Sequence, residues 1–252
     1  MLEGVFIVVN VQISKSQIPI VKNIKYMFEM KSLKLYLGSI IDTDDVYFES
    51  LLDDEDIYLD PKNDKKVVEE WIKNNYKIDG NLTISDDLIV DCSGSVYIRN
   101  KSITSLTNGL FRWDKVDRNF DCSYCSNIKS LEGAPEWVGG RFCCNDCDNL
   151  TSLEGAPKGV IGMFSCSQCN NLKTLKGAPK KVVGGFYCGA CMNLTSLEGA
   201  PKEVGRDFNC GGCEKLTSLE GAPEKVGGGL YCFGCKNIRI THSDRKKYKI
   251  DK

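Results

Sequence analysis

Twelve cysteines fall in pairs, and the pairs recur every 22 residues: Cys122 and Cys125, Cys144 and Cys147, Cys166 and Cys169, Cys188 and Cys191, Cys210 and Cys213, Cys232 and Cys235. Two thiols three residues apart can hold a metal, shuttle a disulfide or fill a core. Consecutive pairs read C-x2-C-x18-C-x2-C, within the spacing range of zinc sites, so a zinc reading would name Cys122, Cys125, Cys144 and Cys147 as ligands. A strict repeat, however, stacks equivalent residues into columns ~4.8 Å apart whatever their purpose. A tetrahedral site with Zn–S bonds of ~2.3 Å would pair the turns two by two and break their equivalence. Redox catalysis expects one Cys-x-x-Cys at a helix N-terminus in a βαβ unit, and here six copies sit on strand ends. Disulfides between adjacent turns satisfy the Cα distance but meet a dihedral demand and need an oxidising compartment. The reading favoured here is reduced, structural thiols with no cofactor and no resident metal.

Other catalytic chemistry is scarce. His242 is the only histidine and lies in a basic tail, so no Ser-His-Asp or Cys-His pair can be assembled in the repeats. No G-x-x-x-x-G-K-[ST] run occurs. The expectation is a protein without enzymatic activity.

Composition narrows the class. The 252 residues are 42% hydrophobic with a formal charge of −1, which describes a soluble chain without global electrostatic bias; nucleic-acid binding is not implied. The longest apolar run, Val5 to Val9, is far below the ~20 residues that cross a bilayer. Met1-Leu2-Glu3-Gly4 lacks a signal peptide's basic start, so a cytoplasmic location without membrane contact is expected. Charge is nonetheless segregated: nine acids and no Lys or Arg lie between Asp42 and Asp60, whereas Arg239, Arg245, Lys246, Lys247, Lys249 and Lys252 make the C-terminus basic. Both runs read first as solvated segments.

The elements that must position these residues follow from the repeat. Leu131, Leu153, Leu175, Leu197 and Leu219 keep the 22-residue period, as do Pro135, Pro157, Pro179, Pro201 and Pro223. Such a period means one supersecondary unit stacked on copies of itself. Val160, Phe164, Cys166, Cys169, Leu172 and Leu175 recur as apolar, and Phe164 and Cys166 alternate with Met163 and Ser165, which predicts a short strand with one face buried. Lys176-Gly177-Ala178-Pro179 then turns the chain, and one coil is expected to hold a strand, a loop and an extended return segment.

Upstream, Gly4 to Ser14 reads as a strand, and Ile18 to Ile41 mixes strand and helix signals. Asp60-Pro61-Lys62-Asn63 reads as a turn, followed by an amphipathic helix over Asp64 to Tyr76 with Asp64 as N-cap. From Lys77 to Trp113 short strands alternate, and Cys92 with Ser95 reads as a degenerate first unit that caps the stack. The divisions are thus residues 1–62, an α+β domain; 63–114, helix and cap; 115–237, six repeats; and 238–252, a basic cap or tail.

The repeat resembles a leucine-rich repeat: Phe164-x-Cys166-x-x-Cys169-x-x-Leu172 matches the strand half, with one extra residue before the leucine. Runs such as Leu194 to Gly205, Leu-Thr-Ser-Leu-Glu-Gly-Ala-Pro-Lys-Glu-Val-Gly, are similar to leucine-rich-repeat-like proteins of tailed bacteriophages and bacteria. Relatives of that kind carry Asn where this chain has its second cysteine, so the double cysteine column is a departure. The resemblance covers about Trp71 to Asn237 and implies a fold: a mostly-β, leucine-rich-repeat-like solenoid with short strands and little helix, behind the α+β N-terminal domain. It implies no single activity.

Function is then expected on the outward strand positions, where Tyr187, Tyr231 and Phe233 read as exposed aromatics, with Tyr124 and Arg141 toward the other end. Aromatic residues and Arg are the usual anchors of protein interfaces. The expected role is a non-enzymatic module that binds a protein partner through this face, phage-encoded or bacterial, with a host protein as the target in the phage case. Two alternatives stand beside it: a zinc-stabilised scaffold touching nucleic acid through the basic tail, and an enzyme whose activity resides in residues 1–62, where no motif is found. Glu132, Glu154, Glu198 and Glu220, interrupted by Lys176, read as a solubility device.

Overall fold

Gly-Gly and Ala-Pro steps leave each 22-residue unit only short extended runs, and the computed structural model, which describes residues 61–251, builds two strands from every unit. Helix α1 (Pro61–Asn75) comes first, followed by β1 (Tyr76–Asp79), β2 (Leu82–Ile84), β3 (Ile89–Cys92) and β4 (Ser95–Ile98). The six turns contribute β5 (Arg112–Val116) and β6 (Phe120–Asp121), β7 (Trp137–Val138) and β8 (Phe142–Cys143), β9 (Gly159–Val160) and β10 (Phe164–Ser165). Then come β11 (Lys181–Val182) and β12 (Phe186–Tyr187), β13 (Glu203–Val204) and β14 (Phe208–Asn209), β15 (Lys225–Val226) and β16 (Leu230–Tyr231). Helix α2 (His242–Lys247) and β17 (Ile250–Asp251) close the chain.

The strands assemble into two sheets, which makes the repeats a β-solenoid. The phenylalanine sheet has nine strands, ordered β1-β4-β6-β8-β10-β12-β14-β16-β17, and the valine sheet has eight, ordered β15-β13-β11-β9-β7-β5-β3-β2. Successive turns pair in parallel at an offset of 22, so Phe164 lies between Phe142 and Phe186, and Val182 between Val160 and Val204. The extended return segment expected from the sequence is thus itself a second hydrogen-bonded ladder. The two ladders bond in opposite senses: Phe164 N–H donates forward to the Gly185 carbonyl at 2.9 Å, whereas Val183 N–H donates back to Val160 at 3.0 Å.

Register puts like on like in the core. Phe120, Phe142, Phe164, Phe186 and Phe208 stack with centroids 5.1 to 5.5 Å apart and planes within 4 to 13° of parallel. Leu230 and Ile250 continue this column at the C-terminal end. Beside it run Val116, Val138, Val160, Val182 and Val204, the leucine columns and both cysteine columns, all buried.

Caps seal the stack. At the N-terminal end, β1 pairs antiparallel with β4 and β2 with β3, while Val68, Ile72 and Tyr76, at helical spacing, bury one face of α1 and its exit. Trp71 packs 5.7 Å from Phe111, and the Tyr76 hydroxyl donates to the Leu106 carbonyl. The helix differs from the sequence reading in its limits. It begins at Pro61, so residues 61–63 of the expected turn are helical and Asp64 lies within the helix rather than at its N-cap; proline suits a first helical position because its missing N–H has no partner there. Cys92 also departs from expectation, because it pairs with Val116 in the valine column, and Val96 opposite Phe120 leaves Ile98 level with Cys122. The expected readings of residues 1–60 lie outside the described residues.

The basic tail is folded at the other end. Thr241 and Asp244 form a reciprocal cap on α2, with Asp244 N–H donating to Thr241 Oγ1 at 3.1 Å and Thr241 N–H to Asp244 Oδ2 at 2.8 Å. Tyr248 is buried, donates to the Pro223 carbonyl at 2.6 Å, and leads into β17 on the phenylalanine sheet.

Two columns demand left-handed backbone. Gly177 has φ 89°, and a Cβ there would sit 2.4 Å from the Glu154 backbone nitrogen. The residue before each second cysteine is also left-handed, yet it is glycine only at Gly212 and Gly234, both at 74°; Tyr124, Asp146, Gln168 and Ala190 hold 55 to 64°. For Ala190→Gly, relief of ~1–2 kcal/mol of strain exceeds the ~0.5–1 kcal/mol cost of glycine's freedom in the unfolded chain, so a net gain of about 0.5–1 kcal/mol is expected. Gly177→Ala adds a backbone clash to the same strain and should lose about 3 kcal/mol or more. Urea denaturation of both variants checks these signs, and equal, near-zero changes would contradict the register described here.

Candidate functional site

The thiols occupy two inner columns that the strand ends create. All twelve paired cysteines are buried, and all fourteen cysteines of the chain are free. Each first cysteine directly follows its strand, and from Cys122 to Cys210 its carbonyl is one that no backbone N–H of the next turn reaches. The second cysteine of the following turn supplies the donor: Cys147 Sγ to the Cys122 carbonyl at 3.3 Å, Cys169 to Cys144 at 3.1 Å, Cys191 to Cys166 at 3.2 Å, Cys213 to Cys188 at 3.2 Å and Cys235 to Cys210 at 3.1 Å. A buried acceptor left unmade costs ~1–3 kcal/mol, which accounts for a small side chain that is apolar and still carries a proton.

That bond needs the S–H proton, and a thiolate would instead set two acceptors against each other. Metal ligation and nucleophilic chemistry both require the thiolate. Among the described residues no group of three or more His, Cys, Asp or Glu side chains is arranged to hold a metal ion. Cys122, Cys125, Cys144 and Cys147 lie in the two thiol columns, where Cys147 Sγ donates to the Cys122 carbonyl at 3.3 Å and Cys122 Sγ to the Cys143 carbonyl at 3.3 Å.

Electrostatics point the same way. Burial is the main cause that holds the thiols of Cys122, Cys144, Cys166 and Cys188 well above their ordinary value. At Cys210 and Cys191 the hydrogen-bonded neighbour, Cys235 or Cys213, comes first and burial second. Burial pushes Cys125 up to about 11, and it does the same to the half-buried Cys143, which lies outside both columns on the outer face of the phenylalanine sheet.

The outward side of that sheet divides the sequence-predicted contact residues. Tyr124 is 65% exposed and Phe233 is 53% exposed, and Arg141 is exposed as well. Tyr187 and Tyr231, read from the sequence as exposed, are half-buried because each ring folds back along its own strand onto glycine. A Cβ on Gly185 would lie 2.6 Å from the Tyr187 ring, and one on Gly229 would lie 2.8 Å from the Tyr231 ring. The Phe233 ring lies against Gly211, where an added Cβ would be 3.2 Å away. Tyr187 on β12 and Tyr231 on β16 flank β14, so these two and Phe233 gather on the last three turns. Tyr124 in the first turn and Arg141 in the second stand apart from them.

Sequence reasoning missed the outer face of the valine sheet. Trp137, Ile161 and Val183 are 46%, 61% and 46% exposed on three successive turns. A signal was present. The position after each inward valine reads Asp117, Gly139, Ile161, Val183, Gly205, Gly227, and the position before it reads Lys115, Trp137, Gly159, Lys181, Glu203, Lys225. Bulky apolar residues interrupt a glycine-rich column, and the single glycine of the other column follows the tryptophan.

No protein-family model, curated protein or solved structure matches the chain, so the geometry of the columns and faces carries the functional argument.

The buried thiols link stability to pH with a definite sign. Between about pH 9 and their raised folded values, the native state retains protons that the unfolded chain releases. Stability should therefore be fully present below about pH 8.5 and fall as pH rises, by up to ~1.4 kcal/mol per thiol per pH unit. Thermal melts in reductant from pH 7 to pH 11 check this, and a melting temperature unchanged across that range would contradict it.

Proposed function

We propose that the chain is a non-enzymatic, protein-binding solenoid that holds a protein partner on the outer face of the phenylalanine sheet, centred on Tyr187, Tyr231 and Phe233. The observation that carries this reading is that all three aromatic rings rest on glycines. A ring bedded in this way has little freedom left to lose, so ordering on binding costs little, and aromatic anchors of that kind supply most interface energy. Tyr124 and Arg141 extend the same face toward the first turns and serve as secondary contacts.

Further features support the reading without an enzymatic step. An open cleft among the described residues, about 420 Å³ and lined by Asn81, Thr83, Asp91, Cys92, Ser93, Lys115 and Asp117, has its lysine paired with Asp117 at 2.6 Å, and burial raises its Cys92 thiol above the ordinary value, which disfavours the thiolate. The likeness of the repeat to leucine-rich-repeat-like proteins of tailed bacteriophages and bacteria favours a phage-encoded factor acting on a host protein. Fourteen free thiols favour a reducing compartment, hence the cytoplasm of the host. No helix among the described residues is long and apolar enough to cross a membrane.

The test is capture from host lysate by the immobilised full chain, with Tyr231→Ala and Phe233→Ser introduced together. Loss of two anchors should weaken retention of a specifically captured protein at least about tenfold while the melting temperature moves little. Undiminished capture by a folded double variant would remove the function from this face.

A further inference from the structure

The outer face of the valine sheet carries a second surface. Among the described residues six large apolar side chains are exposed, and three of them, Trp137, Ile161 and Val183, sit together on β7, on the residue after β9 and on the residue after β11. Stacking alone does not require them, because the equivalent positions of other turns hold Gly139, Gly205 and Gly227, or Lys115, Glu203 and Lys225. Trp137 is also pre-ordered: a Cβ on Gly159 would lie 2.2 Å from its six-membered ring, so any other residue at 159 would displace the indole.

The rim of this patch is basic. In these three turns the strand segments contribute Lys158, Lys180 and Lys181 and a single acid, Glu136. Glu136 is already shared between Arg112 at 3.0 Å and Lys158 at 2.6 Å. Lys181 acts on Glu203, which is itself bound to Lys225 at 2.5 Å, and the Lys180 ammonium has no ion pair or hydrogen bond among the described residues. An apolar strip with a positive border selects an occupant that is apolar and acidic.

Spacing selects its form. Trp137 stands in the column of Gly159 and Lys181, before the inward valines, whereas Ile161 and Val183 stand in the column after them, and the Trp137 ring lies over Gly159 on the turn of Ile161. The apolar strip is therefore two columns wide and about two turns deep. A helix presents apolar side chains in neighbouring rows, at i and i+3 or i+4, and is ~10–12 Å across, so it meets both columns at once. An extended strand running along the axis presents a single row on one face and covers one column. We propose that this face docks an acidic amphipathic helix of a partner protein, with its apolar rows on Trp137, Ile161 and Val183 and its carboxylates toward Lys158, Lys180 and Lys181. The surface is separate from the phenylalanine-sheet face, so either assignment can fail while the other holds.

The test uses a fluorescein-labelled helical peptide of about 18 residues, with Leu at i, i+3 and i+7 and flanking Glu, and a control with Lys for each Glu. Fluorescence anisotropy with the full chain should show saturable binding of the acidic peptide, weakening as salt rises from about 0.05 M to about 0.3 M, and little binding of the control. Trp137→Ala should reduce affinity at least about tenfold, and Ile161→Gly, which restores the residue of neighbouring turns, should also weaken it. Lys180→Glu with Lys181→Glu should reverse the preference between the peptides, a result that misfolding would not produce. Phe233→Ser should change nothing here, which separates this proposal from the phenylalanine-sheet reading. Equal binding of both peptides, no saturable binding, or binding indifferent to Trp137→Ala in a folded variant would overturn the proposal. Concentration-dependent dimerisation abolished by Trp137→Ala would assign the face to a second copy of this chain and would overturn it equally.

Discussion

Every feature of the solenoid depends on parallel pairing of successive turns at an unbroken offset of 22 residues. The pairing brings backbones to strand distance, ~4.8 Å, on two sides of each turn at once. At that separation a Cβ becomes an obstacle wherever the chain bends toward its neighbour, as at Gly177 beneath the Glu154 backbone. The same offset turns each sequence position into a column, so one residue choice is repeated or relieved by the turn above and below it. Phenylalanine succeeds in its column because rings 5.1 to 5.5 Å apart stack in parallel, and the column ends in the smaller Leu230 and Ile250 where the C-terminal cap begins.

The cysteines follow from the same constraint. A strand that ends after two residues leaves a carbonyl pointing along the axis inside the core. A hydroxyl or amide could bond it at a greater desolvation cost, whereas a thiol both packs as a small apolar group and donates one weak bond. Five repetitions of that bond, from Cys147 to Cys235, tie the second column to the first, and Cys122 and Cys144 of the first column donate in turn to the Cys143 and Ser165 carbonyls at 3.3 and 3.5 Å.

What individual turns add lies on the outside, and glycine decides how it is displayed. Trp137 rests on Gly159, Tyr187 on Gly185, Tyr231 on Gly229, and Phe233 against Gly211. Aromatic and glycine thus act as pairs, one supplying area and the other a bed that holds the ring still. The two faces differ in chemistry: the phenylalanine sheet presents an aromatic group over its last three turns, and the valine sheet presents an apolar strip with a lysine border over its second to fourth turns.

From the sequence alone, period and alternation determined that there would be six stacked turns and that Phe164, Cys166, Cys169, Leu172 and Leu175 would face inward. These are local or periodic properties, and they survive because each turn meets a copy of itself. Only the tertiary structure decided that the return segment forms a second sheet, that Cys92 joins the valine column, and that the basic tail folds into a cap with Tyr248 at its centre. It also decided that Tyr187 and Tyr231 are half-covered while Trp137, Ile161 and Val183 are open. The reason is physical: the exposure of an outward side chain is set by the residue beside it in space, one turn or one rotamer away, and alternation along a single strand carries no information about that neighbour.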